Sequence, residues 1–129
     1  MKTDEDPIVV KADYSVGIVR LWAALTDPRQ MVQWYFEEIT NFSPDVGFTT
    51  EFLVEMGERQ FTHVWEVVIS QPPREICYNW RYAEHAGEAK VYFELEGDEH
   101  NSSLTVTMTI MEDFSEEIRE FSREAGLGG

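Results

Sequence analysis

A second cysteine is missing: Cys77 stands alone in 129 residues, which excludes an intrachain disulfide and a cysteine cage for zinc. Positive charge is scarce as well, with 10 Lys and Arg against 25 Asp and Glu and a formal charge of −15. That field repels phosphate backbones and anionic lipid headgroups, and no Lys/Arg cluster overrides it locally, so neither nucleic acid nor a membrane surface is an expected partner. No stretch approaches the ~18 uninterrupted apolar residues of a spanning helix, and the opening MKTDEDPIVV has no basic region leading into an apolar one. A soluble, cytoplasmic protein is the expectation. Repeats, low-complexity tracts and Pro/Gly/Ser linkers are also lacking. One domain is therefore expected over residues 1–129, with residues 1–6 as a flexible tail.

The signatures of common chemistries are lacking too. There is no nucleophile elbow, phosphate loop, dinucleotide fingerprint or zinc spacing, which disfavours a hydrolase or nucleotide enzyme. No catalytic residue, cofactor or metal is assigned. His85 and His100 fall in turns rich in Glu84, Glu88, Asp98 and Glu99, and a metal site built from two turns is weighed against solvated acidic hairpin tips, the favoured reading. Cys77 falls on the polar parity of its strand with no base beside it, so a nucleophilic role is weak and an exposed thiol is expected. Arg74 and Arg81 are expected to be exposed and paired with nearby glutamates.

What the chain has is aromatic bulk and alternation. Eight Phe, five Tyr and four Trp supply a core, so disorder is not expected despite the charge. Ile8, Val10, Ala12 and Tyr14 alternate with a mostly polar set, predicting a half-buried strand. Ser15 reads as the N-cap of a helix over residues 16–25, stopped by Asp27 and Pro28. A second short helix starts near Pro28 and carries Met31, Val32, Trp34, Tyr35 and Phe36. An irregular loop follows, marked by Asn41, Ser43, Pro44, Asp45 and Gly47.

From Phe48 the period becomes two. The inward sets are Phe48, Phe52, Val54, Met56; then Phe61, His63, Trp65, Val67, Ile69; then Ile76, Tyr78, Trp80, Tyr82; then Ala89, Val91, Phe93, Leu95; and Leu104, Val106, Met108, Ile110. Short connections predict an antiparallel meander, apolar on one face and wet on the other. Asp113 and Glu116 form a capping-box pattern before Phe114, Ile118, Phe121 and Ala125, predicting a covering helix over residues 113–125.

This order of elements, with its local wording, resembles the activator of heat-shock protein 90 ATPase homologue-like domains of the START-like (SRPBCC) helix-grip superfamily. The residues carrying the resemblance are Trp22, Leu25-Thr26-Asp27-Pro28 and Trp34-Tyr35-Phe36; then Asn41-Phe42, Pro44-Asp45, Gly47 and Phe52; then Val67, Gln71 to Ile76, Tyr78 and Trp80. It implies an α+β helix-grip fold: a curved antiparallel sheet of about six strands, two short helices after the first strand, and a C-terminal helix. It also implies a long helix beyond Gly129, so the apolar face is expected to be less covered here than in relatives, and self-association or lower stability is expected of the 129-residue form.

Members of that superfamily are ligand binders, aromatic cyclases, antibiotic-sequestering proteins or co-chaperone domains. The leading expectation here is a noncatalytic binding domain whose cavity takes a small hydrophobic or aromatic molecule. Its candidate lining is Trp34, Phe52, His63, Trp65, Tyr78, Trp80, Phe93 and Met108. Plain core packing is the competing reading of the same aromatics, and Tyr78 and Trp80 are favoured for the cavity because their polar tips need partners. The alternatives are a co-chaperone-like domain whose acidic surface docks on a protein partner, a homodimer, and, less favoured, a cyclase-like enzyme with His63 as its proton-transfer group.

Overall fold

A computed structural model describes residue 3 and residues 6–114. The chain runs β1 (Ile8–Tyr14), α1 (Ile18–Thr26), α2 (Pro28–Trp34), β2 (Thr49–Met56), β3 (Arg59–Gln71), β4 (Glu75–Tyr82), β5 (Glu88–Gly97) and β6 (Ser102–Glu112). All six strands form one curved antiparallel sheet in the order β1-β6-β5-β4-β3-β2, the helix-grip arrangement. Apart from its first two residues, the helix anticipated over 113–125 lies outside the described residues, as does anything beyond it. Phe114 itself is buried, its ring 6.0 Å from that of Tyr82.

The alternation places the anticipated residues on the concave face, and pairing turns them into rows that cross the strands. One row is Ile110, Ala89, Trp80, Trp65 and Thr50; the next is Tyr82, His63 and Phe52; on the other side run Met108, Val91, Tyr78 and Val67. Burial of one face locks this register, because a one-residue slip would turn every ring to solvent.

The structure corrects the face of Ile69 and the burial of Cys77, Val10 and Tyr14. β3 carries one extra residue at Val68, so Val67 pairs with Tyr78 but Ile69 pairs with Cys77. That bulge moves Ile69 from the concave to the outer face. Cys77 does lie on the outer face, yet it is fully buried between cross-strand neighbours Ile69 and Tyr92. A small side chain flanked by two large ones is covered even on the wetter face. β1 is an edge strand, and Val10 and Tyr14, expected inward, are exposed there.

Ser15 is not the cap of α1. The helix starts at Ile18 with Gly17 in the cap position and no side-chain cap bond. Instead the β5–β6 turn supplies the acceptor: Ile18 N–H donates to the Asp98 carbonyl at 2.9 Å, and Ser102 Oγ donates to the Val16 carbonyl at 2.8 Å. Asp27 then serves α2, its carboxylate accepting from Arg29 N–H at 2.9 Å, with Pro28 at the first helical position.

Candidate functional site: an aromatic box on the concave face

α2 ends at Trp34, two residues earlier than its apolar spacing suggests, and the chain then runs without helix or strand from residue 35 to residue 48. This early stop sends Tyr35 and Phe36 away from the helix and over the sheet. The Tyr35 ring lies 5.2 Å from Trp65 and 6.0 Å from Trp80; the Phe36 ring lies 4.8 Å from His63, 5.3 Å from Phe52 and 5.7 Å from Trp80. Tyr35 and Phe36 stack on each other at 5.0 Å. At these spacings the rings touch, so the space above Trp65 and Trp80 is filled by the chain's own side chains.

Beneath that lid the strand residues make a tight ring cluster. His63 stacks on Phe52 at 4.6 Å, and Trp65 lies 4.8 Å from Tyr78 and 4.9 Å from Trp80. Phe93 joins through Tyr78 at 5.6 Å, and Phe42, from the loop, meets Tyr78 edge-on at 6.0 Å. Of the sequence-derived candidates, Phe52, His63, Trp65, Tyr78, Trp80 and Phe93 are thus brought together. Met108 is buried on the same face, two strands from Tyr78. Trp34 is not in the cluster: it is 47% exposed, stacks on Tyr35 at 4.5 Å, and donates from Nε1 to the Ala24 carbonyl.

Tyr35 and Phe36 were legible only as part of a Trp-Tyr-Phe run. Three consecutive residues cannot share one helix face, and that was the available signal that the helix ends among them.

Polar groups inside the cluster are mostly satisfied. The hydroxyls of Tyr35 and Tyr78 bond to each other at 3.0 Å, and burial, reinforced by Tyr35, holds the Tyr78 phenol well above its ordinary pKa. His63 is wholly buried, and its Nδ1–H donates to the Phe61 carbonyl at 3.0 Å. A ring held this way within its own strand suits packing better than proton exchange with solvent. Thr50 Oγ1 donates to Asn41 Oδ1 at 2.7 Å, tying β2 to the loop. Trp65 is 1% exposed, and its indole Nε1–H has no hydrogen-bond partner among the described residues.

The other candidate residues do not assemble into a site. His85 and His100 lie at opposite ends of the ten-residue β5, roughly 30 Å of strand apart, so they cannot share a metal ion. His85 stacks on Phe61 at 5.0 Å instead. Arg74 and Arg81 are exposed but form no ion pairs; among the described residues Arg29 with Asp27 is the one pair. An open groove of about 470 Å³ between the end of β1 and the β5–β6 turn is lined by Asp13, Glu96, Asp98 and neighbouring polar groups. It is not the apolar cavity anticipated. Among the described residues no helix is long and apolar enough to cross a membrane.

A six-stranded curved sheet with two helices between its first and second strands has relatives. The sequence profile of the family described as activator of Hsp90 ATPase homolog 1-like protein matches residues 16–127. The chain belongs to that family. Solved structures share the fold of this Hsp90-activator-homologue-like chain. Mll3558 of Rhizobium loti is 16% identical, with a TM-score of 0.75 over 89% of this chain and 83% of its own. MLL2253 of Mesorhizobium loti is 21% identical, with a TM-score of 0.69 over 93% and 83%. DynU16, a protein in the dynemicin biosynthetic locus, is 21% identical, with a TM-score of 0.70 over 94% of this chain but only 42% of its own length. The present chain therefore spans less than half of DynU16. At these identities the likeness establishes the fold alone. No curated protein matches the sequence.

Proposed function

We propose that the chain binds a small apolar or aromatic molecule on the concave face of its sheet and does not convert it chemically. One observation carries this reading: the rings beneath are anchored in strands, whereas the two rings above them, Tyr35 and Phe36, come from a fourteen-residue stretch, 35 to 48, with no helix or strand of its own. Loops this long inside a compact domain are uncommon and usually functional. Both lid residues are only partly buried, whereas Trp65, Trp80 and His63 beneath are almost wholly so. A flat ligand enters by replacing the lid rings on Trp65, Trp80 and Phe52, with Tyr78 and His63 at its sides, Phe93 and Met108 deeper along the face, and Trp34 at the mouth. The single thiol, buried, fits a cytoplasmic setting.

The test uses the neutral fluorescent probe N-phenyl-1-naphthylamine. The expected result is saturable one-to-one binding that Trp80→Ala abolishes, together with a stability loss of roughly 3–5 kcal/mol, the usual penalty for emptying a packed Trp site. A parent protein that never binds the probe leaves Trp80 as plain core and refutes the proposal. The competing reading is the one the family description suggests, a domain that docks by its acidic charge on a protein. It predicts binding that weakens steeply with ionic strength, which insertion of a neutral probe does not.

A further inference from the structure

The chain satisfies the indole it exposes and leaves unsatisfied one that it buries. Trp34, half exposed, donates from Nε1 to the Ala24 carbonyl at 2.7 Å, whereas Trp65, at 1% exposure, has no acceptor among the described residues. Native interiors rarely leave a buried donor unpaired, because the group gives up its water without gaining a partner. Polar groups that neighbour Trp65 are already committed. Thr50, its cross-strand neighbour, donates to Asn41, and the hydroxyls of Tyr35 and Tyr78 bond to each other.

We infer that the ligand of this face is a flat, fused aromatic compound bearing a carbonyl-type oxygen, and that Trp65 Nε1–H donates to that oxygen. The inference rests on the binding reading above and specifies its chemistry. Flatness follows from the volume to be replaced, which is that of the stacked Tyr35 and Phe36 rings. The oxygen follows from two donors. Trp65 lacks an acceptor among the described residues already, and displacing Tyr35 removes the hydroxyl that bonds to the buried Tyr78 hydroxyl, while the Trp65 and Tyr78 rings sit 4.8 Å apart. A carbonyl oxygen has two lone pairs and serves both. A site that leaves a donor unpaired discriminates against an otherwise identical ligand lacking the acceptor.

Fluorene and 9-fluorenone share one tricyclic frame and differ by the ketone. Fluorene is the more apolar, so hydrophobic transfer alone favours it. The inference predicts the reverse, with fluorenone binding about ten-fold more tightly by calorimetry, a difference of about 1.4 kcal/mol. In a proton–nitrogen correlation spectrum, one of the four indole N–H signals should move downfield on adding fluorenone and stay in place with fluorene. Trp65→Phe should identify that signal by its loss and bring the two affinities together, whatever it does to their common level. If that variant does not fold, the affinity ratio and the selective shift in the unsubstituted protein decide by themselves. Equal affinities, or saturation by fluorenone with every indole signal unmoved, overturn the inference and leave the binding reading standing. Binding of neither compound overturns both.

Discussion

Replacing Gly17 with alanine tests how α1 is held to the sheet. A Cβ at position 17 falls 2.4 Å from the Glu99 carbonyl oxygen, 2.8 Å from its carbon and 3.2 Å from the Asp98 carbonyl oxygen. All three are backbone atoms, so no flexible side chain can swing aside. The turn that carries them is itself braced: the Asp98 carboxylate accepts from His100 N–H at 2.8 Å and Asn101 N–H at 2.9 Å, and Asp98 N–H donates to the Asn101 carbonyl. Relief requires the helix to back away, which breaks the 2.9 Å bond from Ile18 N–H to the Asp98 carbonyl. Overpacking of this kind costs about 1–3 kcal/mol and the lost bond about 1 kcal/mol. Gly17 has φ −69°, a value alanine adopts freely, so the smaller unfolded-state entropy of alanine returns about 0.4–1 kcal/mol. The net expectation is a loss of about 1–3.5 kcal/mol, seen in urea unfolding as a midpoint lower by about 0.5–2 M with an unchanged slope. Ser15→Ala is the control. If Ser15 were the helix cap it would lose about 1 kcal/mol; with the cap supplied by the β5–β6 turn it should change stability by less than about 0.5 kcal/mol. Gly17→Ala within about 0.5 kcal/mol of the parent, or a larger loss from Ser15→Ala, would refute this account of the docking.

Two further outcomes follow from buried titratable groups. Tyr78 is held protonated in the folded state, first by burial and then by Tyr35, so its folded pKa exceeds its unfolded one. Its contribution is fully present below about pH 10 and is lost as pH rises beyond that, when the unfolded chain sheds a proton the folded one retains. Absorbance at 295 nm should show Tyr78 ionising only as the fold is lost, and Tyr78→Phe should weaken the alkaline fall in stability; a Tyr78 that titrates reversibly in the intact fold together with the exposed tyrosines speaks against the buried hydroxyl pair. Burial, aided by Glu75 and opposed by Lys90, pushes the Cys77 thiol up to about 11. A disulfide reagent at pH 8 should therefore label Cys77 no faster than the sheet opens, and labelling within seconds in native buffer would mean that Ile69 and Tyr92 do not cover it.

Parity made the faces of β3 to β6 legible, because a half-buried strand cannot tolerate a polar residue at Trp65, Tyr78 or Phe93 without losing its core. Where it failed, the deciding contact was always with another element. Val67, Val68 and Ile69 are apolar in succession, so nothing local marks Val68 as the extra residue; the pairing of Ile69 with Cys77 does. Alternation names the face of Cys77 but not what lies on either side of it. Ser15 is an excellent cap in isolation and loses to a carbonyl some eighty residues away, at Asp98. The candidate site is the sharpest case. Its floor was readable as a period of two in β3 and β4, while its lid depends on where α2 stops, and helix ends are set by tertiary bonds rather than by spacing. Trp65 and Trp34 are the same residue type, and composition treats them alike. Only the fold separates the indole that finds the Ala24 carbonyl from the one that finds no acceptor among the described residues, and that difference sets a buried donor at Trp65 where Trp34 has none to spare.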